Sequence, residues 1–132
     1  MTYLLDTNTC IAWLNGTSTS VRTAMTRSGP AEVVICSVVK AELVYGAHKS
    51  KAVAKNLQKL DAFFSAIESL PFDDSAIGFY GTTRAFLEKN GTPIGPHDLL
   101  IASTALAHQL TVVTGNESEF RRVPGLLVAN WM

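Results

Sequence analysis

Three acids stand out by where they fall: Asp6, Glu42 and Asp98. Asp6 ends the apolar run Tyr3-Leu4-Leu5. Glu42 sits early in a helical segment, and Asp98 lies in the first turn of a helix opened by Gly95-Pro96. Carboxylates gathered in one pocket repel one another and raise one another's pKa values, and a divalent cation removes that penalty. Mg²⁺ is hard, prefers oxygen, and is bound by one or two carboxylates together with waters and substrate phosphate. Such a site activates water and stabilises the charge of phosphoryl transfer. The expected chemistry is therefore metal-dependent phosphodiester hydrolysis, with Asp6, Asp98 and Glu42 as metal-binding acids. Each acid also has an ordinary reading: Asp6 as a helix N-cap, Asp98 as a partner of the helix macrodipole, Glu42 as a solvated helix position. The constellation is more specific than any member.

Other polar residues are weaker candidates. Asn116 follows a strand-like run and can supply a further polar group, although turn asparagines are common. Glu119 lies three residues later and can fill that place instead. Thr7 or Asn8 can orient Asp6 or a bound water. His97, beside Asp98, can act as a general base, whereas His48 and His108 have no metal-ligand spacing. Arg84, Arg121 and Arg122 can hold phosphates but are more commonly plain surface arginines. Cys10 and Cys36 read as core packing, and Leu57, Leu60 and the phenylalanines as core or a dimer face.

The elements that must position these residues alternate. Tyr3–Leu5, Val33–Cys36, Leu70–Phe72, Thr111–Thr114 and Leu126–Val128 read as short strands. Between them lie amphipathic segments: Cys10–Leu14, Ser18–Arg27, a helix from Val38 to His48 capped by Ser37, a long stretch reaching Ile67, and Ser75–Lys89 capped by Asp73 or Asp74. The helix opened by Pro96 is apolar nearly all round. In the helix after Ser37, Val38, Ala41 and Tyr45 line one face, and Glu117–Arg122 reads as a charged turn. Alternation of this kind predicts an α/β fold with a parallel sheet and helices on both faces. In such folds, sites gather beyond the carboxyl ends of the strands where strand order reverses. Asp6, Ser37 and Asn116 all directly follow strand-like runs.

A chain of 132 residues with 47% hydrophobic and 17% charged residues is expected to form one domain, 1–132, with a sizeable core. Eleven basic and eleven acidic residues cancel, which argues against a generally basic nucleic-acid binder. A nuclease remains compatible, because bound metal brings positive charge where it is needed. The two cysteines form no CxxC pair, which fits a reduced, cytoplasmic location. The N-terminus offers no signal-peptide apolar region, and no apolar run approaches the roughly 20 residues of a membrane span, so no membrane partner is expected.

Leu4-Leu5-Asp6-Thr7-Asn8, Lys40-Ala41-Glu42-Leu43-Val44-Tyr45-Gly46, Gly95-Pro96-His97-Asp98-Leu99-Leu100-Ile101-Ala102 and Val113-Thr114-Gly115-Asn116-Glu117-Ser118-Glu119-Phe120 occur in that order, followed by Arg122-Val123-Pro124-Gly125-Leu126 and Asn130-Trp131. Together they closely resemble PIN-domain ribonucleases of the VapC toxin type over essentially the whole chain. The resemblance implies a three-layer α/β/α PIN-like domain with a central parallel sheet. It implies an Mg²⁺-dependent endoribonuclease, with Mn²⁺ able to substitute, that cuts single-stranded or loop regions of tRNA or rRNA. It further implies a homodimer, inhibition by a cognate VapB-type antitoxin, and binding of the toxin–antitoxin complex to operator DNA through the antitoxin. By motif, Asp6, Glu42 and Asp98 match the family's core acids. Many PIN domains carry aspartate where Asn116 stands, so Asn116 or Glu119 completes the site. With RNA as substrate, the near-neutral charge predicts a local grip and a modest salt dependence.

Two other readings compete. An aspartyl-phosphate phosphatase also places an acid after its first strand, but usually has a second aspartate two residues on, where this chain has Asn8. A catalytically inactive PIN-like module that only binds RNA or protein has no need of all three acids.

Overall fold

Short β-branched and leucine-rich runs form the strands because they can be buried on both faces, as a parallel sheet demands. In the computed structural model, which describes residues 2–132, these are β1 (Tyr3–Leu5), β2 (Val33–Cys36), β3 (Glu68–Leu70), β4 (Thr111–Val113) and β5 (Leu127–Ala129). All pair in parallel, in the order β3-β2-β1-β4-β5, with Tyr3 opposite Val33 on one side and Thr111 on the other. Helices α1 (Thr7–Asn15), α2 (Thr19–Ser28), α3 (Ser37–Lys49), α4 (Val53–Ala66), α5 (Asp74–Lys89), α6 (Pro96–His108) and α7 (Glu117–Phe120) connect and flank them. The chain lays β2 and β3 outward on one side of β1, then returns to place β4 on the other. The reversal lies between β1 and β4, so the crevice opens at their carboxyl ends, where Asp6 and Thr114 begin the following segments.

The core is the strands together with one stripe of each helix. Leu4, Leu5, Ile35, Val112 and Val113 are fully buried, as are Ile101, Ala102 and Ala105 of α6. The near-apolar sequence of α6 thus reflects burial around much of its circumference.

Several local expectations are corrected. Ser37 is the first residue of α3, not its cap; β2 runs directly into the helix, leaving Cys36 at the cap position without a side-chain bond. The buried stripe of α3 is Val39, Leu43 and Ala47, one turn apart, while Tyr45 is 65% exposed. β3 ends at Leu70, because Pro71 has no N–H to continue a ladder. The stretch from Ala47 to Ile67 is broken at Ser50–Ala52, where Ser50 Oγ donates to the Ala47 carbonyl at 2.6 Å. The charged turn after Asn116 closes into α7, anchored by the fully buried Phe120. The last strand is shifted by one residue, to Leu127–Ala129.

Candidate active site

Asp6 enters the crevice from the end of β1. Its backbone N–H donates to the Val113 carbonyl of β4 at 3.0 Å, and its Oδ1 accepts the Thr9 N–H at 2.9 Å as the N-cap of α1. Thr9 locks the same corner from the other side, its hydroxyl donating to the Val113 carbonyl at 3.1 Å. Asp6 is only 5% exposed. The helix-cap reading of Asp6 therefore holds: one carboxylate oxygen caps α1, leaving the other for the crevice.

Glu42, in the second turn of α3, is held by two neighbours. Its Oε1 accepts from the Thr7 hydroxyl at 2.5 Å, and its Oε2 lies 3.1 Å from His97 Nδ1. Thr7 thus orients Glu42 rather than Asp6. His97 is 62% exposed at the rim, so the pair bridges α3 and α6 across the mouth of the site.

Asp98 projects from the first turn of α6, where Pro96 starts the helix without needing a donor. Burial pushes its carboxyl up to about 6, and the negative charges of Glu119, Asp6 and Glu42 push the same way; the Asn116 amide opposes them. This is the signature of carboxylates crowded with too little water.

Glu119 and Asn116 lie at the same end of the sheet. Glu119 Oε1 accepts the Gly95 N–H at 2.9 Å, and Oε2 accepts a short bond from the Asn116 amide. Both bonds hold the Glu119 carboxyl below its ordinary range. Thr114, fully buried, accepts the Asn116 N–H at 2.8 Å and shapes the turn after β4. A serine or threonine two residues before a turn asparagine is the sequence signal for it. Gly95 adjoins both acids: a side chain there would begin 3.8 Å from Asp98 Oδ2 and 4.0 Å from Glu119 Oε1, ordinary contact distances.

All five acid and amide candidates thus gather at the carboxyl end of β1 and β4. The arginines differ. Arg84 pairs with Glu88 and Arg121 with Glu117, each within its own surface segment. Arg122 donates to the Pro93 carbonyl at 2.8 Å and its charge favours ionised Glu119. Cys10 and Cys36 are fully buried and their thiols are pushed up by burial, which fits core packing.

Among the described residues, no group of three or more His, Cys, Asp or Glu side chains is arranged to hold an ion by itself. Mg²⁺ is ordinarily bound by one or two carboxylates, its remaining positions filled by water and substrate oxygens. The donor set is all oxygen, it is short of positive charge, and Asp98 is raised by burial and then by its acidic neighbours. A hard divalent ion fits it.

The PIN domain family model matches residues 3–126. The chain belongs to the PIN-domain family. Within that family its relatives are of the VapC type. It is 42% identical over 132 residues to ribonuclease VapC2 of Rickettsia felis, covering 99% of this chain and 98% of that protein. It is 39% identical over 129 residues to the tRNA(fMet)-specific endonuclease VapC of Salmonella typhimurium, covering 98% and 97%. Two crystal structures share its fold throughout. VapBC2 from Rickettsia felis, bound to a DNA fragment from the promoter, superimposes with a TM-score of 0.92 at 40% identity, covering 100% of both chains. DNA-bound VapBC from Salmonella typhimurium gives 0.94 at 38% identity, covering 100% and 99%. The five-stranded parallel sheet flanked by helices is thus a PIN fold, and PIN-domain nucleases are generally dependent on a divalent metal. No helix of this PIN domain, among the described residues, is long and apolar enough to cross a membrane.

Proposed function

We propose that this chain, as a single PIN domain over residues 1–132, is the ribonuclease toxin of a VapBC-type pair. It is an endoribonuclease that uses Mg²⁺, with Mn²⁺ able to substitute, and cuts single-stranded or loop regions of tRNA or rRNA in the cytoplasm. A VapB-type antitoxin holds it inactive, the toxin forms a homodimer, and the antitoxin carries the complex to operator DNA. Its kinship with VapC ribonucleases supports the activity, and the VapBC complexes among its structural relatives support the partner.

The observation that carries the reading is the convergence of Asp6, Glu42 and Asp98 from three separate elements in one crevice, where burial first and then the charges of Glu119, Asp6 and Glu42 raise Asp98. Asp6 and Asp98 would hold the cation directly, with Glu42 direct or through water. A divalent ion there supplies Lewis acidity toward the scissile phosphate and its attacking water. Thr7 and His97 hold Glu42 in place. Glu119, with Asn116, fixes the start of α6 and so the position of Asp98. Water attacks the phosphorus in line and the P–O3′ bond breaks, so the products are a 3′-hydroxyl and a 5′-phosphate, with no part for the 2′-hydroxyl.

The test is cleavage of total cellular RNA by wild type and by Asp98→Ala, each with Mg²⁺ and with EDTA, with the ends sequenced. Discrete cuts that need both Asp98 and metal, and that leave 5′-phosphates, are expected. A 2′,3′-cyclic phosphate would sink the mechanism. No cleavage by folded, antitoxin-free protein would leave an RNA- or protein-binding module.

A further inference from the structure

The charges of this neutral chain are not evenly mixed. From Leu43 to Leu60 there is no carboxylate, and that stretch carries Lys49, Lys51, Lys55 and Lys59, four of the six lysines. All four are exposed. The ion pairs among the described residues take their cations from Arg84, Arg121 and His97, and none uses a lysine. The result is an exposed cationic stretch, from the end of α3 into α4, that carries no carboxylate and no ion pair among the described residues.

That stretch is built on a fixed corner. Lys49 ends α3, its Nζ 5.8 Å from the centre of the Tyr45 ring, and Lys51 lies in the connection to α4. Ser50 Oγ donates to the Ala47 carbonyl at 2.6 Å and accepts from the Asn56 amide at 2.8 Å, tying the connection to both helices. Lys55 and Lys59 follow one turn apart on α4, on the same side. Little backbone freedom is left to lose when a ligand binds there. A groove of about 220 Å³ joins this corner to the site: Glu42 and Gly46 of α3 line it with Ile11 and Leu14 of α1, and Asn56 and Lys59 of α4 close it. One groove thus has a member of the acidic cluster on one wall and a lysine on another.

We propose that Lys49, Lys51, Lys55 and Lys59 form a phosphate-binding track that carries the RNA strand beyond the cleavage site. The inference rests on the ribonuclease reading. The acidic cluster repels phosphates everywhere except where a cation sits, so a strand that crosses it must be held from outside. Lysine is depleted at the cores of protein–protein interfaces, whereas lysines on phosphates are the usual grip on nucleic acid. The track acts on binding, not on the chemical step.

The test uses a 5′-labelled single-stranded RNA of about 20 nucleotides and mixed sequence, with binding read in EDTA over a salt series. The fourfold Lys→Gln variant at positions 49, 51, 55 and 59 is compared with wild type and with Lys89→Gln on α5. The fourfold variant should raise KM by roughly tenfold or more at low salt, keep kcat at saturation within about twofold, and flatten the log–log salt slope of binding by up to about 2.8. Lys89→Gln should match wild type. Should the fourfold variant fold poorly, Lys55→Gln and Lys59→Gln should each flatten the slope by about 0.7. An unchanged KM and slope in folded variants overturn the track, leave the ribonuclease reading standing, and point to an acidic protein segment as the occupant. Wild type that binds the RNA but never cuts it with Mg²⁺ defeats the ribonuclease reading, while the slopes still judge the lysines.

Discussion

Glu119 reaches across 24 residues to accept the Gly95 backbone N–H at 2.9 Å, tying α7 to the start of the helix that carries Asp98. Its other oxygen is taken by the Asn116 amide. Both oxygens of Glu119 are thus engaged within the protein, which supports the proposed positioning role. Glu119→Ala should cost about 1 kcal/mol in urea unfolding and lower kcat with little change in Mg²⁺ affinity measured by calorimetry. A loss of Mg²⁺ affinity as large as that of Asp6→Asn would make Glu119 a ligand instead.

Asp98 gives a pH dependence with a definite sign. Its folded pKa of about 6 lies above the 3.8 of a free aspartate, so the fold holds this proton more tightly than the unfolded chain does. Below about pH 4 both states are protonated and nothing is lost. As pH rises through 6 the metal-free fold gives up stability, fully so above it. In EDTA at pH 8, Asp98→Asn should therefore melt above wild type, by about 1 kcal/mol once solvent screening is allowed for, and the gain should vanish near pH 4. Mg²⁺ should raise the wild-type melting temperature at pH 8 and move the variant much less. A variant no more stable than wild type at pH 8 would mean that the carboxyl is not strained.

The observed helix cap and the proposed metal-binding role of Asp6 are separated by two substitutions. Asparagine is as good an N-cap as aspartate, so Asp6→Asn should keep the bond to the Thr9 N–H and the melting temperature while losing nearly all cleavage. Asp6→Ala should lose cleavage and also about 1 kcal/mol of stability. Thermal melts and cleavage assays on the pair check this; an active Asp6→Asn enzyme would reject the metal-binding role.

Thr7→Val removes the hydroxyl that donates to Glu42 and keeps the side-chain volume. It should lower kcat several-fold with KM for RNA nearly unchanged, since Glu42 loses orientation rather than charge. Thr7→Ser should restore most of the rate, and failure of that rescue would place the effect in packing.

The elements and the acids were legible because their signals are local. Strands of buried β-branched residues, a Pro at the first turn of α6 and an acid after β1 depend on neighbours in sequence, and the motif order around Asp6, Glu42 and Asp98 carried the family. Where local preference is weak, sequence and structure part. Tyr45 stands at helical spacing from Val38 and Ala41, but Leu43, one turn from Val39 and Ala47, is the residue that the core covers. The four residues of α7 have no helical signal of their own and are held by the burial of Phe120. By itself the sequence determined which side chains bear charge, where the chain can form strand and helix, and that three acids would stand near element starts. Only the tertiary structure decided that Thr7 and His97 hold Glu42, that Glu119 bonds Gly95, and that Asp98 is raised by burial and by its neighbours. Those depend on the reversal of strand order between β1 and β4, which brings residues tens of positions apart into one poorly hydrated crevice where their charges interact strongly.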